Sequence, residues 1–116
     1  MCTEEVLAHV KQMDPVPQDV VLFGIEAHVC IAQTCLDLIE KGFKVHLVCD
    51  GISSQKVYDR TVAIQRMLHA GAFLTTAEQV TFQLLESAEH PRFKAVSALV
   101  RERAQEGNAF SDMAAL

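Results

Sequence analysis

The chain has 116 residues, of which 50% are hydrophobic and 22% are charged, with a formal net charge of −5; this is typical of one globular domain and argues against a disordered or fibrous segment. The basic residues are scattered among acidic ones, which argues against a nucleic-acid-binding face of clustered Lys and Arg. No apolar run approaches the roughly 18–20 residues that a membrane span needs, so we expect no membrane partner.

The first predicted elements are a short helix and a strand. Thr3, followed by two acidic residues, is a typical helix start, because its hydroxyl can cap the helix and the acids lie near the positive end of the dipole. The Asp-Pro-Val-Pro segment at residues 14–17 is expected to end that helix. Residues 20–23 form an apolar run before Gly24, which predicts a strand buried on both faces, as in a parallel sheet.

Helices and strands then alternate through the middle of the chain. Residues 28–41 and 57–70 have apolar side chains at three- and four-residue steps, which predicts amphipathic helices; a glycine follows each and is expected to end it. Residues 44–50 are a β-type run, and residues 51–54 (GISS) are predicted as a turn. Residues 72–76 are the third predicted strand.

The C-terminal part is predicted to be helical. Thr75 and Glu78 have the spacing of a capping box, which is expected to open a helix through Leu85. Pro91 suits the first turn of a last helix that runs to about Arg103.

Three strands separated by one helix each predict a right-handed βαβαβ unit with a parallel sheet, hence the α/β class. No repeat, low-complexity tract or linker divides the chain, so residues 1–116 are predicted to be one domain. Its parts are a leading helix and loop (1–19), a core (20–86), a C-terminal helix (90–105) and a flexible tail (106–116).

The four cysteines are expected to be reduced thiols in an intracellular compartment, which is the cytoplasm or else the nucleus or mitochondrion. The N-terminus carries early acids and lacks the basic and apolar regions of a signal peptide. Because no cysteine pair has CxxC spacing and the histidines are dispersed, no metal site is predicted. The absence of GxGxxG and GxxxxGKS loops likewise predicts no nucleotide cofactor.

Cys30 has two interpretations. It lies a few residues after the first predicted strand, at the edge where ligands bind in open parallel sheets. In the first turn of a helix, unpaired N–H groups and the dipole favour a thiolate and can hold an oxyanion. Alternatively, Cys30 packs as a small apolar residue, as free cysteines commonly do. Position alone favours packing for Cys30, and more strongly for Cys35 and Cys49.

Five motifs lie in order between residues 20 and 85. They are GIEAHVC, QTCLD, DGISS, DR and AGAFLTTAE. Together they resemble the isochorismatase-like cysteine hydrolase family. Ala27, where many relatives have Thr, and the following HPRFKAVSALV favour the type 2 branch of its eukaryotic members.

The resemblance implies a fold and a set of site residues. The fold is a three-layer, Rossmann-like parallel sheet with helices on both faces, of whose six strands this chain has the last three. Cys30 matches the family's nucleophile, so the resemblance favours a reactive Cys30 over one that only packs as a small apolar residue. The Ile25–Glu26 peptide matches the family's cis bond, and the N–H groups of Glu26 and Cys30 match its oxyanion hole. The implied substrate is a small molecule with an amide or vinyl-ether bond.

The family's nucleophile works with an Asp and a Lys that lie upstream of the segment beginning here at Met1. We therefore expect a truncated chain, such as a shortened isoform or partial gene model, with little or no activity alone, and leave open whether it is an enzyme. Asp50 is expected to cap a turn and not to act as the base. His28 has little weight as a partner of Cys30. Asp59 and Arg60 are predicted as a helix-start acid and a surface or inter-helix ion pair.

The five lysines named next are expected to be solvated surface residues: Lys11, Lys41, Lys44, Lys56 and Lys94. The strand at residues 20–23 is expected to lie at an exposed sheet edge, which favours pairing with a second copy or another chain. Two alternatives to a weak hydrolase remain: a non-catalytic interaction module, and a complete hydrolase assembled by self-association.

Overall fold

The computed structural model of the protein describes residues 2–106. The elements in chain order are α1 (Glu4–Lys11), β1 (Asp19–Ile25), a π-turn (Ala27–Ile31), α2 (Ala32–Glu40), β2 (Lys44–Ser53), α3 (Val57–His69), β3 (Phe73–Thr75), α4 (Ala77–Leu85) and α5 (Phe93–Arg103). Apart from residue 106, the predicted flexible tail lies outside the described residues. None of the described helices is long and apolar enough to cross a membrane.

The three strands form one parallel sheet in the order β1-β2-β3. β2 is the central strand, and Leu47 pairs with Leu22 on one side and with Leu74 on the other. This confirms the predicted α/β fold with a parallel sheet. β1 has a neighbour in the sheet on one side, so within residues 2–106 it is an edge strand, as expected.

One face of the sheet carries the hydrophobic core, and we call it the covered face. Val45, Leu47 and Ile52 of β2 are fully buried there, together with Ile64 and Met67 of α3. The π-turn and α2 complete this cluster with Ala27, Ile31, Cys35 and Leu38. The amphipathic patterns of α2 and α3 therefore form as predicted, because their apolar stripes meet the same sheet face.

The opposite face, which we call the open face, is only partly covered. Successive side chains of a strand point to opposite faces, and Val21, Phe23 and Ile25 of β1 are 42%, 67% and 69% exposed. On the same face Nε2 of His46 donates a 2.8 Å hydrogen bond to the carboxylate of Asp19, and the His46 ring stacks on Phe73 at 5.2 Å between ring centroids. The prediction that β1 is buried on both faces is therefore wrong, because no described element covers its second side.

Helix ends follow local sequence signals in part. The Thr3 hydroxyl accepts a hydrogen bond from the N–H of Val6, as a cap should. Gly42 and Gly71, which follow α2 and α3, have φ of +89° and +113°, a region that favours glycine. The predicted Thr75 cap is wrong by one residue. Thr76 caps α4 by accepting from the N–H of Gln79, because Thr75 is held in β3.

Two further boundaries differ from the prediction. β2 continues to Ser53 where a turn was expected, because the register shifts after Leu22 and lets Gly24 pair with Ile52. α5 begins at Phe93 and not at Pro91, which lies in the preceding turn.

Candidate functional site

Cys30 lies in the π-turn at the carboxyl end of β1, and its side chain is exposed. The turn is wider than the α-helical first turn predicted from sequence, because the N–H of Ile31 donates to the carbonyl of Glu26 five residues earlier, at 3.1 Å. Single π-helical turns are frequent at functional sites. Within residues 2–106 the Cys30 thiol makes no hydrogen bond or ion pair. The thiol is thus accessible, and no group among the described residues is in a position to deprotonate it.

The backbone before Cys30 has the geometry that the resemblance implied. The Ile25–Glu26 peptide bond is cis. The carbonyl of Glu26 accepts hydrogen bonds from the N–H groups of Val29 and Ile31, at 3.2 and 3.1 Å. These bonds fix the start of the turn that presents Cys30.

A second turn, between β2 and α3, contacts the first. The Ser54 hydroxyl accepts a hydrogen bond from the N–H of Ala27 at 3.1 Å and lies 3.0 Å from Nδ1 of His28. The N–H of Gln55 donates to Oε2 of Glu26 at 3.1 Å. Ser54, the last residue of the DGISS motif, and Gln55 after it therefore hydrogen-bond to the start of the Cys30 turn.

An open cavity of about 300 Å³ lies where the two turns meet. Its lining residues are Glu26, His28, Gln55, Lys56 and Asp59, and Cys30 is not one of them. His28 faces two carboxylates there, with Nδ1 3.7 Å from Glu26 and Nε2 4.0 Å from Asp59. His28 thus faces the second turn and makes no bond to Cys30, which agrees with the little weight it had as a partner.

Ser54, His28 and Asp59 do not form a working Ser-His-Asp triad. The 4.0 Å separation of His28 and Asp59 is too long for a hydrogen bond. The Ser54 oxygen already accepts the N–H of Ala27, which makes it less nucleophilic. The arrangement is that of a structural contact.

Asp50 acts as a cap. Its Oδ1 accepts a hydrogen bond from the N–H of Ala77, the first residue of α4, at 2.9 Å. A carboxylate at the N-terminus of a helix satisfies a free N–H and favours the dipole. The predicted capping role is therefore found, and its target is the helix that follows β3.

The prediction that Arg60 lies at the surface is wrong. Arg60 is buried and 5% exposed, and its guanidinium donates to the carbonyls of Ile52 and Cys49 in β2. These carbonyls flank the irregular part of β2, so Arg60 ties α3 to the strand end that leads to Ser54. Its neighbour Asp59 lies in the first turn of α3, as expected for a helix-start acid.

The other cysteines are structural. Cys35 is fully buried, and burial raises the pKa of its thiol from 9.0 to about 11. Burial also raises the pKa of Cys49, although a backbone hydrogen bond with Thr75 and the charge of Arg60 oppose this. Cys2 is half-buried and donates weakly to the carbonyl of Thr34. All four cysteines are unpaired, and the five lysines are exposed, as predicted.

Residues 3–79 match the family model of the isochorismatase domain. The chain belongs to the isochorismatase family. It is 46% identical over 103 residues to isochorismatase family protein 1A of Dictyostelium discoideum, which covers 89% of this chain and 50% of that protein. It is 46% identical over 100 residues to isochorismatase domain-containing protein 2 of Danio rerio, which covers 86% of this chain and 50% of that protein.

Solved structures agree with the family. The MAR1 ribonuclease of Caenorhabditis elegans superposes with a TM-score of 0.82 and is 39% identical, covering 100% of this chain and 58% of that one. The chain therefore has the family's fold over its described residues. The chain spans about half the length of the curated relatives it matches.

Proposed function

We propose that this chain carries the nucleophile of a cysteine hydrolase, and that the nucleophile is Cys30. The observation that supports this most is an exposed thiol in the turn after β1, at the carboxyl edge of a parallel sheet, inside the family's matched segment. Parallel sheets bind ligands at this edge. The buried Cys35 and the half-buried Cys49 lack this access.

With an amide substrate, the Cys30 sulfur would form a bond to the carbonyl carbon while the carbonyl oxygen takes the electron pair. The N–H groups of Glu26 and Cys30 would hold that oxyanion. Breaking of the C–N bond releases the amine with a proton and leaves a thioester. Water then hydrolyses the thioester to a carboxylic acid and restores the thiol.

We propose that the 116 residues alone have little or no hydrolase activity. A thiolate needs a base, and within residues 2–106 no carboxylate or ammonium contacts the Cys30 thiol. The nearest carboxylate in sequence, on Glu26, accepts from the N–H of Gln55 and faces His28. The resemblance assigns the base and the cation to an Asp and a Lys outside these residues.

Alkylation of the intact chain with iodoacetamide, read by peptide mass spectrometry, tests the nucleophile. Cys30 is expected to react faster than the half-buried Cys2 and much faster than Cys35, and C30S to remove the fast phase. C35S is the matched control and should keep that phase. Reaction of Cys30 no faster than Cys2 would contradict the assignment. Turnover of amide or vinyl-ether substrates by the isolated chain, lost in C30S, would contradict the proposed inactivity.

The substrate class that we favour is a small molecule and not RNA, although the similar C. elegans protein is called a ribonuclease. This chain has a formal net charge of −5, and the cavity beside the Cys30 turn has two carboxylates against one lysine and one histidine. A phosphate backbone requires clustered cations. Binding of a single-stranded RNA oligonucleotide at physiological salt would contradict this choice.

A second candidate function is that of an interaction module. The edge strand β1 with Phe23 and Ile25 exposed supports this, because an unpaired strand edge with apolar side chains can accept another strand. The partner would be a second copy of this chain or a longer member of the family. Self-association that also completes a catalytic site has no support from a described residue.

Gel filtration with light scattering tests the module. The wild-type chain is expected to elute above its monomer mass of 12.8 kDa, and F23S to shift toward the monomer. V62S is the matched control, because Val62 is 62% exposed but lies on α3, on the other side of the sheet. A wild-type monomer at high concentration that unfolds cooperatively would count against the module.

A further inference from the structure

Three hydrogen bonds join the turn that carries Cys30 to the turn between β2 and α3, and two of them are donated by backbone N–H groups. At the inner end, the N–H of the fully buried Ala27 donates to the Ser54 hydroxyl at 3.1 Å. At the outer end, the N–H of Gln55 donates to the Glu26 carboxylate at 3.1 Å. We call these two bonds the inter-turn clamp. They attach Glu26 and Ala27, which lie upstream of the nucleophile, to the second turn.

We propose that Ser54 is a positioning residue for Cys30, acting through the inter-turn clamp; this rests on the proposed role of Cys30 as the nucleophile. The Ser54 oxygen accepts the N–H of Ala27. Ala27 directly follows Glu26, whose own N–H is proposed to bind the oxyanion. His28 supports the same oxygen, since its Nδ1 lies 3.0 Å away and can accept the Ser54 proton. Ser54 is therefore satisfied as donor and acceptor in one orientation.

The second turn is attached to the core through the end of β2. It follows β2, whose end is tied to α3 by the buried Arg60 through the carbonyls of Ile52 and Cys49. The π-turn, by contrast, has an exposed nucleophile and begins at an edge strand. The central strand β2 thus holds Ser54 in place, and Ser54 in turn holds the turn that carries Cys30.

The test is the alkylation rate of Cys30 in S54A, with S53A as the matched control and S54T as the conservative variant. Removal of the clamp bond is expected to slow alkylation of Cys30 by iodoacetamide about fivefold, the equivalent of one hydrogen bond. Slowing is the expected direction, because Cys30 is already exposed and a looser turn offers its thiolate less stabilisation. S53A and S54T should react at the wild-type rate.

The buried Cys35 separates positioning from simple loss of structure. If S54A only destabilised the fold, Cys35 would become reactive, whereas loss of positioning slows Cys30 and leaves Cys35 protected. Wild-type or faster alkylation of Cys30 in S54A would overturn the proposal, as would failure of a folded S54T to restore the rate. These outcomes are independent of whether wild-type Cys30 reacts faster than Cys2, which tests the proposed function.

If S54A does not fold, E26A tests the clamp at its outer end. This variant removes the carboxylate that accepts from Gln55 but keeps the backbone N–H of residue 26. E26Q is its control, because the amide retains an oxygen acceptor. We expect E26A to slow Cys30 alkylation more than E26Q does. Equal rates in the two variants would overturn the clamp.

Discussion

The covered and open faces of the sheet contain the same kinds of side chain in opposite surroundings. On the covered face, Leu47 and Ile64 are fully buried between sheet and helices. On the open face, Phe23 and Ile25 of the neighbouring strand are about two-thirds exposed. Both sets come from apolar runs, so hydrophobicity alone does not decide burial. Burial is decided by whether an element of the chain lies over the face.

The two faces should therefore contribute unequally to the stability of the fold. α2, α3 and the π-turn bury one face, and that face holds the turn with Cys30 in place. The open face adds apolar surface with little burial, so it should contribute little to the stability of the isolated chain. Substitutions on the two faces should therefore have very different effects.

The largest effect is expected on the covered face. I64A removes most of a fully buried side chain and should lower the free energy of unfolding by roughly 3 kcal/mol. V62A, two residues earlier on the exposed side of α3, should change it by no more than about 0.5 kcal/mol. Urea unfolding followed by circular dichroism measures both. Equal effects would show that the covered face is not the core.

A second effect of the covered face depends on pH. The folded-state pKa of Cys35 is raised to about 11, whereas an unfolded thiol titrates near 9.0, so the unfolded state loses its proton first. Stability must therefore fall as pH rises above 9, by roughly 1 kcal/mol at pH 10 and up to about 2–3 kcal/mol above pH 11. C35V lacks this thiol and is the control. Parallel urea midpoints for both proteins from pH 8 to 10 would contradict the prediction.

The carboxyl edge of the sheet, which belongs to neither face, should show an intermediate effect. D50A removes one of the two side chains that cap α4, the other being Thr76, and should cost about 1 kcal/mol of stability, because the N–H of Ala77 loses its acceptor. D50N keeps an oxygen at the same place and should lose less. Thermal unfolding should give melting temperatures in the order wild type, D50N and D50A, from highest to lowest. A wild-type melting temperature in D50A would mean that this cap does not stabilise the helix.

The smallest effect is expected on the open face. F23S should change the free energy of unfolding by no more than about 0.5 kcal/mol when measured at a concentration where the chain is monomeric. The reason is that most of the Phe23 side chain is already in water, at 67% exposure. A loss as large as that of I64A would show that something covers this face in solution, and the comparison of faces would then fail.

Features set by nearby residues could be predicted from the sequence. The Thr3 cap and the glycines that end α2 and α3 depend on local backbone chemistry, and they lie where expected. The cap of α4 shows the limit of such signals. Thr75 and Thr76 both have suitable spacing, and only the pairing of Thr75 with Val48 in the sheet decides between them.

Features set by packing could not be predicted in this way. β2 continues through residues that look like a turn because β1 shifts register to pair with them. Arg60 looks like a surface residue, and only the meeting of α3 with the end of β2 shows that its guanidinium has buried carbonyl partners. At the candidate site, the motif identified Cys30 and Glu26. The contact of Ser54 with Ala27 could not be predicted from local sequence, because it joins residues 27 positions apart. The roles of Cys30 and Glu26 in catalysis stay predictions.

The central position of β2 has a consequence for backbone dynamics. His46 and Leu47 have strand partners on both sides, whereas β1 and β3 have a described neighbour on one side. Amide hydrogens open to solvent most rarely where hydrogen-bonded neighbours lie on both flanks. Deuterium should therefore enter the middle of β2 last, and it should enter the strand that leads to Cys30 earlier.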